Sequence, residues 1–294
     1  MKDIPFVSVV VPFRNNEKDT KECIKSLLNQ TYPKNKYEII LVNNNSDDQS
    51  KKLIKPYLDK VILANEKKIG RASARNKGIS VSKGEIIAFI DSDCVAKKDW
   101  LTQLVKPYKS KRVQAVAGEI KPYNPKTQVE EFFGQALSQK KFLSEKIPYA
   151  ATGNFSFRKI LSKRILFDEE LPYLVDVDFS WELYEKGYNI FYEPDSIVYH
   201  RNPKSKSQLF RRYFLEGFYE PLLIKKHNSF LKKNYQLKRI NIYGYLNLIR
   251  ALLRLFSLGN SRKTKAHLFI SLIHSSAKKL GLIAGSIRFC FLYV

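Results

Sequence analysis

Residues 85–95 read EIIAFIDSDCV: an apolar run from Ile86 to Ile90 that ends in two aspartates one residue apart. Five consecutive apolar residues fit a strand buried on both faces of a parallel sheet better than an alternating surface strand. Desolvating an unpaired carboxylate is costly, so such strands avoid acidic residues. Asp91-Ser92-Asp93 therefore marks where the chain leaves the core, either as a solvated turn or as a metal site at the open end of the sheet. If extended geometry continued past Ile90, Asp91 and Asp93, at i and i+2, would face the same side.

Upstream, strand and helix patterns alternate. Strands are expected at Val7–Val11, Glu38–Val42, Val61–Ala64 and Glu85–Ile90. Helices are expected at Glu17–Gln30 (with Ile24, Leu27 and Leu28 on one face), around Asp48–Leu58, and at Ala72–Val81. This alternation predicts right-handed βαβ units in an α/β fold, with a parallel sheet covered on both faces. Ligands of such sheets sit beyond the C-terminal strand ends. Three polar turns fall there: Pro12-Phe13-Arg14-Asn15, Asn43 to Asp48, and Asp91-Ser92-Asp93. Their convergence on one edge points to a site.

The chain has no GxGxxG after its first strand and no Walker A lysine motif, which argues against dehydrogenase and P-loop chemistry. Without a glycine-rich cradle, a bound diphosphate needs another counter-charge. Carboxylates holding a divalent cation, Mn²⁺ or Mg²⁺, supply one.

Seven stretches, in order over roughly residues 5–200, resemble family 2 glycosyltransferases of the GT-A fold: VSVVVPFRN, SLLNQTYP, EIILVNNNSDD, GRASARNKGI, GEIIAFIDSDC, GNFSFRK and DVDFSWELYEKGYNIFYEPDSIVYH. The resemblance implies a Rossmann-like nucleotide-diphospho-sugar transferase sandwich and an inverting transfer from a nucleotide-sugar. It implies Asp93 as direct metal ligand and Asp91 as a contact to metal or ribose. Pro12, Arg14, Asn44, Arg75, Ser92, Gly153 and Asn154 are implied around the donor, with Gly153-Asn154 a turn lining the sugar pocket or a purely structural one. Arg75 lies near the nucleotide or is a surface arginine. His200, ending the run SIVYH, completes the metal shell or is a structural histidine. Where the family carries two aspartates after the second strand this chain has Asn43 and Asn44, which either contact the base or only shape the turn. The catalytic base falls on Asp176, favoured over Asp178, with Val175 in place of the usual glutamate. Trp181 is expected to pack its helix on the sheet.

Composition divides the chain. Of the net charge of +24, residues 201–294 carry 19 Lys+Arg against 2 Asp+Glu, while residues 1–200 carry 33 against 26. The reading is a catalytic domain over 1–200 and a basic, mainly helical region over 201–294. Segments such as YLNLIRALLRLFSL put apolar residues at helical spacing with Lys and Arg between them, short of the roughly 20 uncharged residues of a membrane span. They suit a basic amphipathic helix on an anionic membrane surface, or a solvated helical appendage. With no signal peptide read and three scattered cysteines (Cys23, Cys94, Cys290), the expected location is cytoplasmic, peripheral to the inner membrane face. The expected acceptor is a lipid-linked glycan or polysaccharide precursor of the cell envelope. The competing class, given a pI of about 9.8, is a basic nucleic-acid or membrane binder on an inactive scaffold. No nucleic-acid module is recognised, so no nucleic-acid partner is expected.

Overall fold

The computed structural model describes residues 4–49, 52, 54–235 and 262–291. The stretch YLNLIRALLRLFSL (245–258) lies outside them. Eight strands form one mixed sheet: β1 (Val7–Phe13), β2 (Tyr37–Asn43), β3 (Ile62–Asn65), β4 (Ile86–Phe89), β5 (Cys94–Ala96), β6 (Ala115–Pro122), β7 (Phe155–Arg158) and β8 (Ile190–His200). Their order is β3-β2-β1-β4-β7-β6-β8-β5.

The first four strands are parallel, as the alternating pattern predicts. The core follows from their composition: Val7, Val9, Val10 and Val11 of β1 and Ile86 to Phe89 of β4 are fully buried. Beyond β4 the sheet changes direction. β7 runs antiparallel to both β4 and β6, and β5 runs antiparallel to β8. The described helices are α1 (Glu17–Leu28), α2 (Arg71–Val81), α3 (Trp100–Val105), α4 (Gln128–Ala136), α5 (Gln139–Ser144), α6 (Val175–Glu185), α7 (Lys206–Lys226), α8 (Asn228–Tyr235) and α9 (Arg262–Arg288).

One expectation changes and one is met in part. Of the helix read around Asp48–Leu58, Lys52 and Ile54 are α-helical, and a 3₁₀ turn containing Pro56 follows at Lys55–Tyr57. β4 stops at Phe89, and a turn separates it from β5, so Asp91 and Asp93 do not share the face of one continuous strand.

The chain divides into two compact units. One comprises residues 1–123 and 137–201, the other residues 124–136 and 202–294. Asn124–Ala136 belongs to the helical unit, with Asn202–Val294. Side chains explain this. Phe133 packs on Tyr213 with ring centroids 6.2 Å apart, Arg212 lies over the Phe133 ring at 4.6 Å, and Asn202 Nδ2 donates to the Glu130 carbonyl at 2.9 Å. Thr127 and Glu130 form a capping box that starts α4.

In the helical unit, α7 opens on a second capping box, between Ser205 and Gln208. It then packs on α9 at backbone contact: a Cβ at Gly217 would lie 2.1 Å from the Lys278 carbonyl oxygen. At Gly281 and Gly285 it would lie 2.0 Å from the Phe214 and Phe218 carbonyl oxygens. His274 of α9 sits edge-on to Tyr213 with centroids 3.9 Å apart and tilted to Phe132 at 6.0 Å. Burial, and secondarily Lys278, holds its pKa down at about 4. No described helix is long and apolar enough to cross a membrane.

Candidate active site

The three polar turns meet at the C-terminal ends of β1, β2 and β4 and are tied together. Asn15 donates its N–H to Ser46 Oγ at 3.2 Å and accepts from the Asp47 N–H on Oδ1 at 3.1 Å. Asn16 Nδ2 donates to Ser92 Oγ at 3.2 Å. Asn15 and Asn45 adopt left-handed φ of 50° and 57°, which asparagine tolerates better than most residues.

Within the Asp91-Ser92-Asp93 turn the two carboxylates have different surroundings. Arg75, on α2, is buried, lies over the Phe167 ring, and donates from Nη2 to Asp91 Oδ1 at 2.9 Å. Gly153 borders the other oxygen; a Cβ there would stand 3.3 Å from Asp91 Oδ2. Asp93 faces the strand pair β5–β8. His200 Nε2 lies 3.6 Å from Asp93 Oδ2, and the Cys94 thiol lies 3.9 Å from Asp93 Oδ1. Cys94 and His200 are direct partners in the antiparallel register, which puts their side chains on the same face. Ligand atoms of Asp93, Cys94 and His200 all fall within 4.8 Å of one another. Burial, then the Asp93 and Asp91 charges, push the Cys94 thiol well above its ordinary pKa and keep it protonated. Both aspartate side chains stay about a third exposed, at 35% and 36%, so they are open to a ligand. Oxygen donors with an adjacent imidazole suit a divalent cation, so the residues present fit one.

The end of β8 is clamped in place. Arg201 donates its N–H to the Asp93 carbonyl at 3.2 Å, pairs with Asp19 at 3.1 Å and with Glu22, and stacks on Tyr123 at 4.3 Å.

The first turn of α6 carries both candidate bases. Asp178 is fully buried, whereas Asp176 is half-buried and accepts the Val177 N–H on Oδ1 at 3.0 Å. The helix starts after Leu174, whose φ of 62° is unusual for a bulky residue and fixes the entry of the chain. Ser180 ties α6 to the segment bordering Asp91: its Oγ donates to the Asp176 carbonyl at 2.7 Å and accepts from the Ala150 N–H at 3.0 Å.

The remaining candidates separate into exposed and committed groups. Arg14 is exposed and Pro12 half-buried at the end of β1, and Ser92 is buried beneath Asn16. Asn44 spends its amide on the loop after β3, donating to the Lys68 carbonyl at 2.7 Å and accepting from the Gly70 N–H at 2.9 Å. Asn43 donates to Asn65 Oδ1 and accepts from Ser46. Asn154 is fully buried and wholly engaged: Trp100 Nε1 donates to its Oδ1 at 2.8 Å, and its Nδ2 donates to the carbonyls of Glu119 and Ser196. Trp181 is buried with its helix. Cys94 and Trp100 were not singled out from the sequence. The signal for Cys94 was its adjacency to Asp93; for Trp100 there was none before the partner strands were known.

Residues 8–166 match the family model described as glycosyl transferase family 2, more than half the chain. The chain belongs to that family. It is a glycosyltransferase, although Asp176 and His200 lie beyond the matched residues. Glycosyltransferase AglE of Haloferax volcanii is 31% identical over 204 residues, covering 67% of each protein. A Methanococcus voltae enzyme, named as a dolichyl N-acetyl-alpha-D-glucosaminyl phosphate 3-beta-D-2,3-diacetamido-2,3-dideoxy-beta-D-glucuronosyltransferase, is 24% identical over 243 residues, 75% of this chain and 74% of its own length. Other curated relatives are longer, the chain spanning 53% of one and 32% of another. Among solved structures, the mannosyltransferase PcManGT of Pyrobaculum calidifontis, in complex with GDP-Man and Mn²⁺, superposes with a TM-score of 0.60 at 17% identity, over 98% of this chain and 75% of that one. At that identity the likeness establishes the GT-A fold alone.

Proposed function

We propose that this glycosyltransferase moves a sugar, with inversion, from a nucleotide-sugar to a hydroxyl of a lipid-linked glycan or cell-envelope polysaccharide precursor. It would act in the cytoplasm at the inner face of the membrane. The observation that carries this reading is the pairing of open carboxylates at Asp91 and Asp93 with His200 at the end of the parallel strands. A divalent cation, Mn²⁺ or Mg²⁺, when bound supplies Lewis-acid stabilisation of the departing nucleoside diphosphate. Asp93 and His200 would hold it, with Asp91 turned toward metal or ribose. Arg75 fixes the Asp91 carboxylate and balances its charge, and so acts through Asp91 rather than on the donor. Asp176 takes the acceptor proton. Its Oδ1 already accepts the Val177 N–H, so Oδ2 is the oxygen free for the task. Asp178, fully buried, has no access to an acceptor. Acceptors of the kind named for the Methanococcus voltae relative support the lipid-linked class.

The test is a screen of UDP-, GDP- and dTDP-sugars with Mn²⁺ or Mg²⁺ against EDTA, read as nucleoside diphosphate released. Release from one donor that EDTA abolishes and metal restores is the expected result. Equal turnover in EDTA would remove the metal from the mechanism.

A further inference from the structure

Among the described residues of the helical unit, four of the five exposed large apolar side chains lie on one face of α9, the fifth being Phe210 of α7. Phe269, Leu280, Ile283 and Ile287 are 43%, 52%, 39% and 74% exposed. At about 3.6 residues per turn these positions form a single stripe roughly 27 Å long. It is not the packing face, which is made by Ile270, Ala277, Gly281, Leu282 and Gly285. A large aliphatic side chain left three-quarters in water has no role in holding this unit together.

The charge around the stripe has one sign. From Arg262 to Arg288 the helix has no acidic residue, and Lys279 and Arg288 adjoin Leu280 and Ile287 in sequence. The unit's acidic groups are largely spent internally. Glu216 pairs with Arg212 at 3.1 Å and Glu220 with Lys278 at 3.0 Å, while Glu130 caps the backbone at Lys126 and Thr127. The unit's sequence still carries a large excess of Lys and Arg over Asp and Glu. A surface that is both aliphatic and cationic complements an anionic bilayer interface, where apolar side chains enter the acyl boundary and cations meet headgroups. A nucleic acid would engage the lysines and have no use for the isoleucines.

We infer that this face of α9 is a membrane-docking surface, seating Phe269, Leu280, Ile283 and Ile287 in the interfacial layer of a bilayer containing anionic lipid. The inference rests on the peripheral location proposed above and names the surface responsible. Lys279 and Arg288 contribute attraction to the headgroups, and the helix lies along the membrane plane.

The experiment is co-sedimentation of the full chain with phosphatidylcholine vesicles, with and without phosphatidylglycerol. A triple variant, Leu280→Glu, Ile283→Glu and Ile287→Glu, is run alongside, and its circular dichroism checks folding. The expected result is pelleting of the wild type with the anionic vesicles only, weakened about ten-fold or more in the variant. Equal pelleting by the folded variant overturns this surface while leaving the peripheral location intact. No pelleting of the wild type overturns the location as well. A variant that changes the oligomeric state on gel filtration, with unchanged pelleting, makes a second copy of the chain the occupant and overturns the inference. Should the triple variant not fold, Ile287→Trp decides: a blue shift of its added emission with anionic vesicles supports insertion, and no shift refutes it.

Discussion

In the sheet-bearing unit, Asn43, Asn44, Asn154 and Trp100 give their hydrogen bonds to other protein groups, Arg75 gives Nη2 to Asp91, and a few carboxylate oxygens are left open among them. In the helical unit the lysines and arginines outnumber the acids, and the interior is built from phenylalanine rings, glycine contacts, the buried His227 and the half-buried His274. The contrast teaches where a polar residue becomes chemistry. Asn44 and Asp93 both lie in turns that follow parallel strands at the same edge, but the amide is used up by its own loop while the carboxylate is not. Occupying the right edge is insufficient; the atom must also have spare valence.

Five substitutions press on this contrast. The largest effect is expected at the open carboxylates. Asp176→Asn should cut sugar transfer by roughly 10²–10⁴-fold, the usual contribution of a positioned general base, with the fold intact by circular dichroism. Asp93→Asn should abolish the dependence of donor turnover on added Mn²⁺. Full activity in both variants would erase the distinction between spent and open polar groups.

The helical unit should instead show itself through stability. The His274 pKa is about 4 when folded, against an ordinary 6.5, so the folded state disfavours the proton that the unfolded chain accepts. Stability is complete above about pH 6.5 and falls as the pH drops toward 4, by up to about 3 kcal/mol. Denaturant titrations across that range would read the slope, and His274→Phe should remove it.

A smaller cost, about 2 kcal/mol, is expected for Arg75→Gln, since a buried charge-assisted hydrogen bond to Asp91 is lost. Thermal melting reads the stability, and calorimetric Mn²⁺ titration should show weaker binding because Asp91 is no longer fixed. The smallest is Asn44→Ala, about 1 kcal/mol of stability, with the relative turnover of UDP- and GDP-sugars unchanged. A change in that ratio would mean the amide reads the base after all.

Much of the parallel half was legible because its signals are local. β1 and β4 are continuous apolar runs, and α1 shows its Ile24-Leu27 face within two turns. The other half was hidden because its pairing is not local. Nothing near Phe155 announces that it lies against both β4 and β6, and nothing near Gln128 announces that Phe133 will seek Tyr213 rather than the sheet. The same limit applied to the site. Asp91, Asp93 and His200 could be named from motif order, but the difference between Asp176 and Asp178 is one of burial. The engagement of Asn154 by Trp100 links residues 54 apart in sequence. Such facts belong to the tertiary fold, which overrides local preference.

The backbone contact between α7 and α9 carries a consequence for how this chain can diverge. With carbonyl oxygens about to touch any added carbon at Gly217, Gly281 and Gly285, even alanine acts as a wedge there. Those three positions are closed to drift unless the helices separate, while the outward stripe of α9 is free to vary with whatever surface it meets. One methyl group is therefore enough to loosen the α7–α9 pair, which gives protein engineers a minimal handle on the helical unit.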